Sequence, residues 1–202
     1  MQTQFTREDR KKINNSIRLK YSKVSVNPKG LFKFPTGRAG LEALNYDPDV
    51  VRSLPEDAVA SYCGVGNPFS LGPIHKGEVV LDIGCGGGVD TLAAAIMVGP
   101  RGEAVGIDLV AEMLARARKN LGETHLTNVS FREATAEELP FPNESFDVVL
   151  SNGVFNLIPD KERALAEVFR VLKPRGRLMI ADQVLADQIQ KDKKTMLDNW
   201  FK

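Results

Sequence analysis

The run LDIGCGGGVD, Leu81 to Asp90, sets an acidic residue two positions ahead of alternating glycines: Asp82, then Gly84, Gly86 and Gly88. Glycines between an apolar strand and a helix permit a tight turn, let a ligand lie against backbone, and leave free N–H groups at the helix start. A dinucleotide-binding loop reads G-x-G-x-x-G, and counted from Gly84 its third glycine falls on Val89. The spacing here is D-x-G-x-G-x-G. A carboxylate at Asp82 accepts hydrogen bonds from an ammonium or from loop N–H groups and meets a pyrophosphate badly. The loop therefore favours a cationic, phosphate-free ligand.

Asp108 ends the run EAVGID, 20 residues after Gly88. That is the interval at which an acidic residue takes ribose hydroxyls in nucleotide-binding βαβ units. Two carboxylates and a glycine loop describe a nucleoside carrying a positively charged amino-acid tail. The plainer alternative is that Asp108 caps the helix that follows.

Such a site needs a sheet to hold it. From Gly77 short apolar runs alternate with amphipathic helices, the signature of βαβ units and a parallel sheet. EVVLDIG, EAVGID, VSFREA, SFDVVLSN and RLMIADQV read as five strands, the last after a Pro174-Arg175-Gly176 turn. VDTLAAAIMVG is a helix ended by Gly99-Pro100, and Val110, Met113, Leu114, Ala117 and Leu121 form the apolar stripe of the next. In DKERALAEVFRVLK, with Asp160 as N-cap, the spacing predicts that Leu165, Val168, Phe169 and Leu172 are buried.

Residues 1–76 read as a helical and irregular cap. Ile13, Ile17 and Tyr21 recur at helical spacing, NPKGLFKFPTG is irregular, LEAL and DPDVVRSL are short helices, and LPEDAVASYCGVGNPFSLG is predicted to be loop. Residues 185–202 read as a helix with Ile189, Met196, Leu197, Trp200 and Phe201 on one side, cut short at its end.

A chain of 202 residues, 43% hydrophobic and 26% charged, can bury one core and reads as a single soluble domain. Two cysteines and no signal-like or membrane-length apolar run point to a reducing cytoplasm. Residues 1–30 carry eight basic and two acidic side chains, either an arm for nucleic acid or an anionic surface, or a solvated helix face. His75 and His125 stand in unrelated contexts, so neither a Ser/His/Asp set nor a metal cluster can be assembled.

Residues 77–184 resemble the class I S-adenosylmethionine-dependent methyltransferases: LDIGCGGG their first motif, GIDLVAEML their second, and the segment from ATAEELPFPNESFDVVLSN to RVLKPRGRL the rest of their core. The resemblance implies an α/β, Rossmann-like sheet with helices on both faces and S-adenosylmethionine as cofactor. Asp82 and the loop of Gly84, Cys85, Gly86 and Gly88 would hold its methionine part, Asp108 its ribose hydroxyls, and Leu109 and Met113 would pack near the adenine. Thr135 and Ala136 stand where many members place an Asp and a small residue at the adenine edge; the Asp is absent, leaving a backbone contact from Ala136. Ser151 and Asn152 would face the place where cofactor and acceptor meet. Members usually add a hairpin of strands 6 and 7 that this chain has no room for. The fifth strand would then be an edge at which two copies could form a homodimer.

Within that class the likeness is to arsenite methyltransferases. LPEDAVASYCGVGNPF resembles their Gly-Cys-Gly-(Asn/Ser)-Pro turn, and SNGVFNLIPDKERAL their Ser-Asn-Cys-Val-x-Asn-Leu-Ser-Pro-Asp-Lys. Their thiolates bind a soft metalloid. The turn cysteine falls here on Val65, the fourth-strand cysteine on Gly153, and a third at or beyond Lys202. The ligand set is missing, so arsenite is not the expected acceptor. Cys63 is either a displaced thiol or a small apolar filler.

The expected activity is methyl transfer to a small acceptor (a thiol, a metalloid or another small molecule), with no metal, no membrane and no nucleic acid. Acceptor-side candidates are Tyr21, Tyr62, Cys63 and Asn67 from the cap and Asn152 and Asn156 from the core, the tyrosines being equally readable as core. Arg38, in FPTGRAG, is either an anion site or a loop-anchoring salt bridge. One alternative is a nucleic-acid methyltransferase gripping with the basic arm, although SNGVF replaces the Asn/Asp-Pro-Pro-aromatic motif of the enzymes that methylate base amines. The other is a non-catalytic, cofactor-binding protein.

Overall fold

The computed structural model describes residues 5–184. Five strands, β1 (Val79–Ile83), β2 (Glu103–Asp108), β3 (Val129–Glu133), β4 (Phe146–Asn152) and β5 (Leu172–Ala181), form one sheet of order β3-β2-β1-β4-β5. All four pairings are parallel. The fold is α/β and Rossmann-like.

Alternation along the strands decides which helix covers which face. Leu81, Ile83, Val105, Ile107 and Val149 pack against α7 (Lys161–Val171), while Val80, Ala104, Val148 and Leu150 pack against α5 (Val89–Val98). With both faces covered, the central strands are apolar along most of their length, as a parallel sheet requires. After β3 the chain crosses to the far side of β1 to make β4. The resulting switch point, at the carboxyl ends of β1 and β4, is where open α/β sheets bind ligands.

The four shorter strand segments follow the expected runs, and three details differ. First, α7 buries Ala164, Val168 and Val171, whereas Leu165 is 44% and Phe169 83% exposed. The predicted stripe is rotated because close approach of helix to sheet selects the small Ala164 for the inside, and because the helix stops at Val171. Leu172, counted as helical, already starts β5, which includes the expected Pro174-Arg175-Gly176 turn. Second, a one-turn helix α4 (Glu56–Ala60) interrupts the predicted loop, with Pro55 ahead of it, acidic residues in its first turn, and Ala58 and Val59 buried. One turn is too short to show a period. Third, Pro68–Leu71 forms a 3₁₀ turn.

Ahead of the sheet lie α1 (Arg7–Val26), α2 (Gly37–Ala43) and α3 (Pro48–Arg52). A reciprocal capping box between Thr6 and Asp9 starts α1. The helix lies on α6 (Ala111–Gly122), where Val24 meets Val110 and Met113, flanked by Ile17, Tyr21, Phe32 and Cys63. Its basic residues meet an acidic rim of the core: Arg10 bonds Glu137 at 3.2 Å and Asp160 at 3.0 Å, and Arg18 reaches Glu133 at 3.4 Å. From the core, Arg116 donates to the Ser25 carbonyl at 3.1 Å and the Asp57 carbonyl at 2.9 Å.

No helix among the described residues is long and apolar enough to cross a membrane. β5 is an edge strand among them. The helix expected over 185–202 lies outside the described residues.

Candidate functional site

The glycine loop leaves β1 and folds across the end of β2. Gly84 and Cys85 both donate their N–H to the Ile107 carbonyl, at 2.8 and 2.9 Å. Gly84 has φ +71°, and a Cβ there would run into Val154, so glycine is required twice over. Gly86 donates to one Asp108 oxygen at 2.9 Å and Val110 to the other at 2.9 Å. Asp108 is thereby fastened to the loop. It does not cap α6, whose N-cap is Val110 and lacks a side-chain bond. Each carboxylate oxygen keeps a further lone pair for a ligand.

Three carboxylates, Asp82, Asp90 and Asp108, line one cavity of about 1010 Å³ at the switch point. Asp82, 2% exposed, accepts from the Thr91 hydroxyl at 2.6 Å. Burial, reinforced by neighbouring Asp90, pushes its carboxyl up to about 8. Asp90 accepts from the Tyr46 hydroxyl at 2.8 Å and the Asn152 amide at 2.9 Å, and burial also raises it. Asp108 is raised by burial too, against the hydrogen bonds it accepts. A cationic ligand relieves all three.

Residues 61–65 line the cavity above this floor. Asn152, at the end of β4, accepts from Val65 N–H at 2.8 Å and Gly66 N–H at 3.1 Å, and donates to the Gly66 carbonyl at 2.8 Å. The Tyr62 hydroxyl donates to the same carbonyl at 2.9 Å, and the Tyr46 and Tyr62 rings stack edge to face at 5.4 Å.

The cavity brings together Asp82, Gly84, Cys85, Gly86, Asp108, Leu109, Met113, Thr135, Ala136 and Asn152 from the core, and Tyr21, Tyr62, Cys63 and Asn156 on the acceptor side. Four expected residues lie off its wall. Gly88 starts α5, where a Cβ would meet Phe131 at 2.9 Å, and Ser151 is fully buried behind the strand end. Arg38 pairs with Glu56 at 2.6 Å, and Asn67 holds the 3₁₀ turn by accepting from Phe69 N–H at 3.1 Å and donating to the Asn45 carbonyl at 3.0 Å.

Sequence reasoning missed Asp90, Lys20, Phe32 and Phe34 on the wall and Tyr46 behind it. Asp90 had a signal, an acidic residue on the first turn of the helix that the loop opens. Tyr46 had none, because its role depends on a partner 44 positions away.

The two positions where the arsenite-methyltransferase resemblance expects thiols are neighbours. A Cβ on Gly153 would lie 3.2 Å from Val65 Cγ1, and both residues line the cavity. Cys63 lines the cavity where it packs against the Val24, Val110 and Met113 cluster, and burial with nearby Asp108 and Asp90 pushes its thiol up to about 12.

A parallel sheet of this order, with an acidic glycine loop at its switch point and an acidic residue closing β2, defines the class I S-adenosylmethionine-dependent methyltransferase fold. Residues 74–201 match the family described as "Methyltransferase domain", and the chain belongs to it. An arsenite methyltransferase of Halobacterium salinarum is 41% identical over 161 residues, covering 78% of this chain and 41% of that protein. The ubiquinone/menaquinone biosynthesis C-methyltransferase UbiE of Pasteurella multocida is 41% identical over 111 residues, covering 54% of this chain and 41% of that protein. Among solved structures, an arsenic(III) S-adenosylmethionine methyltransferase of Chlamydomonas reinhardtii superposes with a TM-score of 0.56 at 30% identity, covering 74% of this chain and 50% of that one. The chain spans about half the length of the curated relatives it matches.

The family implies S-adenosylmethionine as the cofactor, and the residues present fit it. The loop offers backbone rather than side chains to the cavity, the carboxylates of Asp82 and Asp108 suit an ammonium and a ribose, and no basic side chain stands in the loop to hold a phosphate.

Proposed function

We propose that this chain transfers a methyl group from S-adenosylmethionine to a small acceptor held between the glycine loop and the N-terminal segment. The observation that carries the reading is the bond from Gly86 N–H to Asp108 at 2.9 Å, which sets the loop and the end of β2 as one surface in a cavity shared with α1. Asp108 would take the ribose hydroxyls, and Asp82 with the loop backbone the methionine ammonium. Leu109 and Met113 would flank the adenine, with the Ala136 backbone at its edge. Asn152 holds Val65 and Gly66 over the site and so limits water there.

The cofactor supplies a methyl activated on sulfonium sulfur; the protein's part is alignment and exclusion of water. An acceptor other than arsenite is supported by the adjoining positions Val65 and Gly153, where the resemblance expects thiols and neither residue is a soft ligand. A small molecule rather than a nucleic acid is supported by Arg10 and Arg18, which are engaged with the core's own carboxylates.

Calorimetry of the full chain with S-adenosylmethionine and S-adenosylhomocysteine tests the reading, followed by transfer of labelled methyl to a panel of thiols, phenols, selenite and arsenite. Micromolar binding of both nucleosides is expected. Binding of neither overturns the proposal.

A further inference from the structure

The wall that the N-terminal segment contributes to the cavity has a composition the cofactor does not need. Ile17, Tyr21, Leu31, Phe32 and Phe34 make it apolar and aromatic, with the Phe32 and Phe34 rings 5.0 Å apart and Tyr21 and Phe32 at 6.5 Å. Tyr21, Phe32 and Phe34 are each only half-buried, so their faces remain available. Beside Lys33, Lys20 lines the same wall. Its ammonium lies 5.3 Å from the Phe32 ring centre and 5.9 Å from that of Tyr21, and it forms no ion pair among the described residues. A lysine resting on ring faces, partly out of water and without a carboxylate, is a hook for an anion.

Two further observations restrict what that anion is. Thiolate capture is not built here: Val65 faces Gly153, and burial holds the thiols of Cys63 and Cys85, which also line the cavity, well above the usual range. Nor does any histidine line the cavity to act as a base. An acceptor acidic enough to lose its proton to water on binding needs neither.

We propose that the acceptor is a small aromatic anion, a phenolate or enolate, whose ring packs against Tyr21, Phe32 and Phe34 and whose charge is met by Lys20; this rests on the methyl-transfer reading above. The hydroxyl proton leaves to water when the acceptor binds. The anionic oxygen or carbon then forms the bond to the methyl group, the sulfur–methyl bond breaks, and its electron pair stays on sulfur. One cation and one anion are neutralised together, so the balance closes without a base.

The probe is 4-nitrophenol, whose ionisation is read from its visible absorbance, titrated into the full chain saturated with S-adenosylhomocysteine. The bound phenol is expected to ionise about one pH unit lower than free phenol, a tenfold rise in the ratio of ionised to neutral phenol at a given pH. Lys20→Met should abolish that shift, Lys20→Arg should keep it, and Phe32→Leu should weaken binding several-fold while leaving the shift. An unshifted bound phenol, or a shift unchanged in Lys20→Met, overturns the proposal. So does tight capture of phenylarsine oxide that is lost in Cys63→Ser, which would make the wall a thiol site. Failure to bind S-adenosylhomocysteine strikes the methyl-transfer reading instead, and the two failures are read separately by calorimetry and absorbance.

Discussion

Asn152 and Val65, 87 positions apart, are joined by a 2.8 Å bond from the Val65 N–H to the Asn152 side-chain oxygen. The same side chain donates to Asp90 at 2.9 Å, so the end of β4, the first turn of α5 and the segment over the cavity meet at one amide. Asn152→Ala leaves two backbone N–H groups and a carboxylate short of partners. A loss of about 1–3 kcal/mol of stability is expected. Hydrogen exchange at residues 64–67 should accelerate, and S-adenosylhomocysteine affinity should fall. Unchanged exchange would show that the segment is held by its turn alone.

Protonation supplies a second test. The Asp82 carboxyl is raised in the folded chain to about 8, chiefly by burial, and sits at about 4 when unfolded. The native state therefore holds a proton that the unfolded chain releases. That contribution is complete below about pH 4 and is lost as pH rises through about 8. Thermal stability without cofactor should fall between pH 5 and roughly 8, and Asp82→Asn should flatten the fall. Binding of S-adenosylhomocysteine should release protons at neutral pH, read as a dependence of calorimetric enthalpy on the buffer's ionisation enthalpy.

Gly84 and Val154 form a steric lock. Gly84→Ala should remove cofactor binding, because a Cβ collides with Val154 and the backbone sits at φ +71°. Val154→Ala in the same chain should restore part of it, relieving the collision but not the backbone strain, a coupling that a double-mutant cycle measures.

Val65→Cys should not confer arsenite turnover. A second thiol at Gly153 is opposed by φ +72° and by the close approach to Val65, so Gly153→Cys should cost about 1 kcal/mol or more in a denaturant melt. Arsenite methylation by the unaltered chain would show that its acceptor chemistry does not depend on these positions.

The core of this molecule was legible because each strand carries its own evidence. An apolar run such as VVLDI has to be buried, and the glycines after it have to turn. Asp108 was legible for the same reason, standing at a set distance from a loop that announces itself. The helix α7 misled because Leu165 and Phe169 outrank Ala164 in hydrophobicity, while the sheet selects for closeness. Tyr46 and, in the aromatic wall, Phe32 and Phe34 were not legible at all. Their roles exist only once a segment without motifs has been laid over another part of the chain, and no local pattern encodes that placement.

Arg10 finds Glu137 and Asp160 only 127 and 150 positions further along. At a synthesis rate of 5–20 residues per second, α1 emerges from the ribosome about 8–30 s before the second of those partners exists. Through that interval an amphipathic helix must stay out of trouble with its apolar stripe bare. Its excess of positive charge serves it then as self-repulsion, before it serves as an anchor.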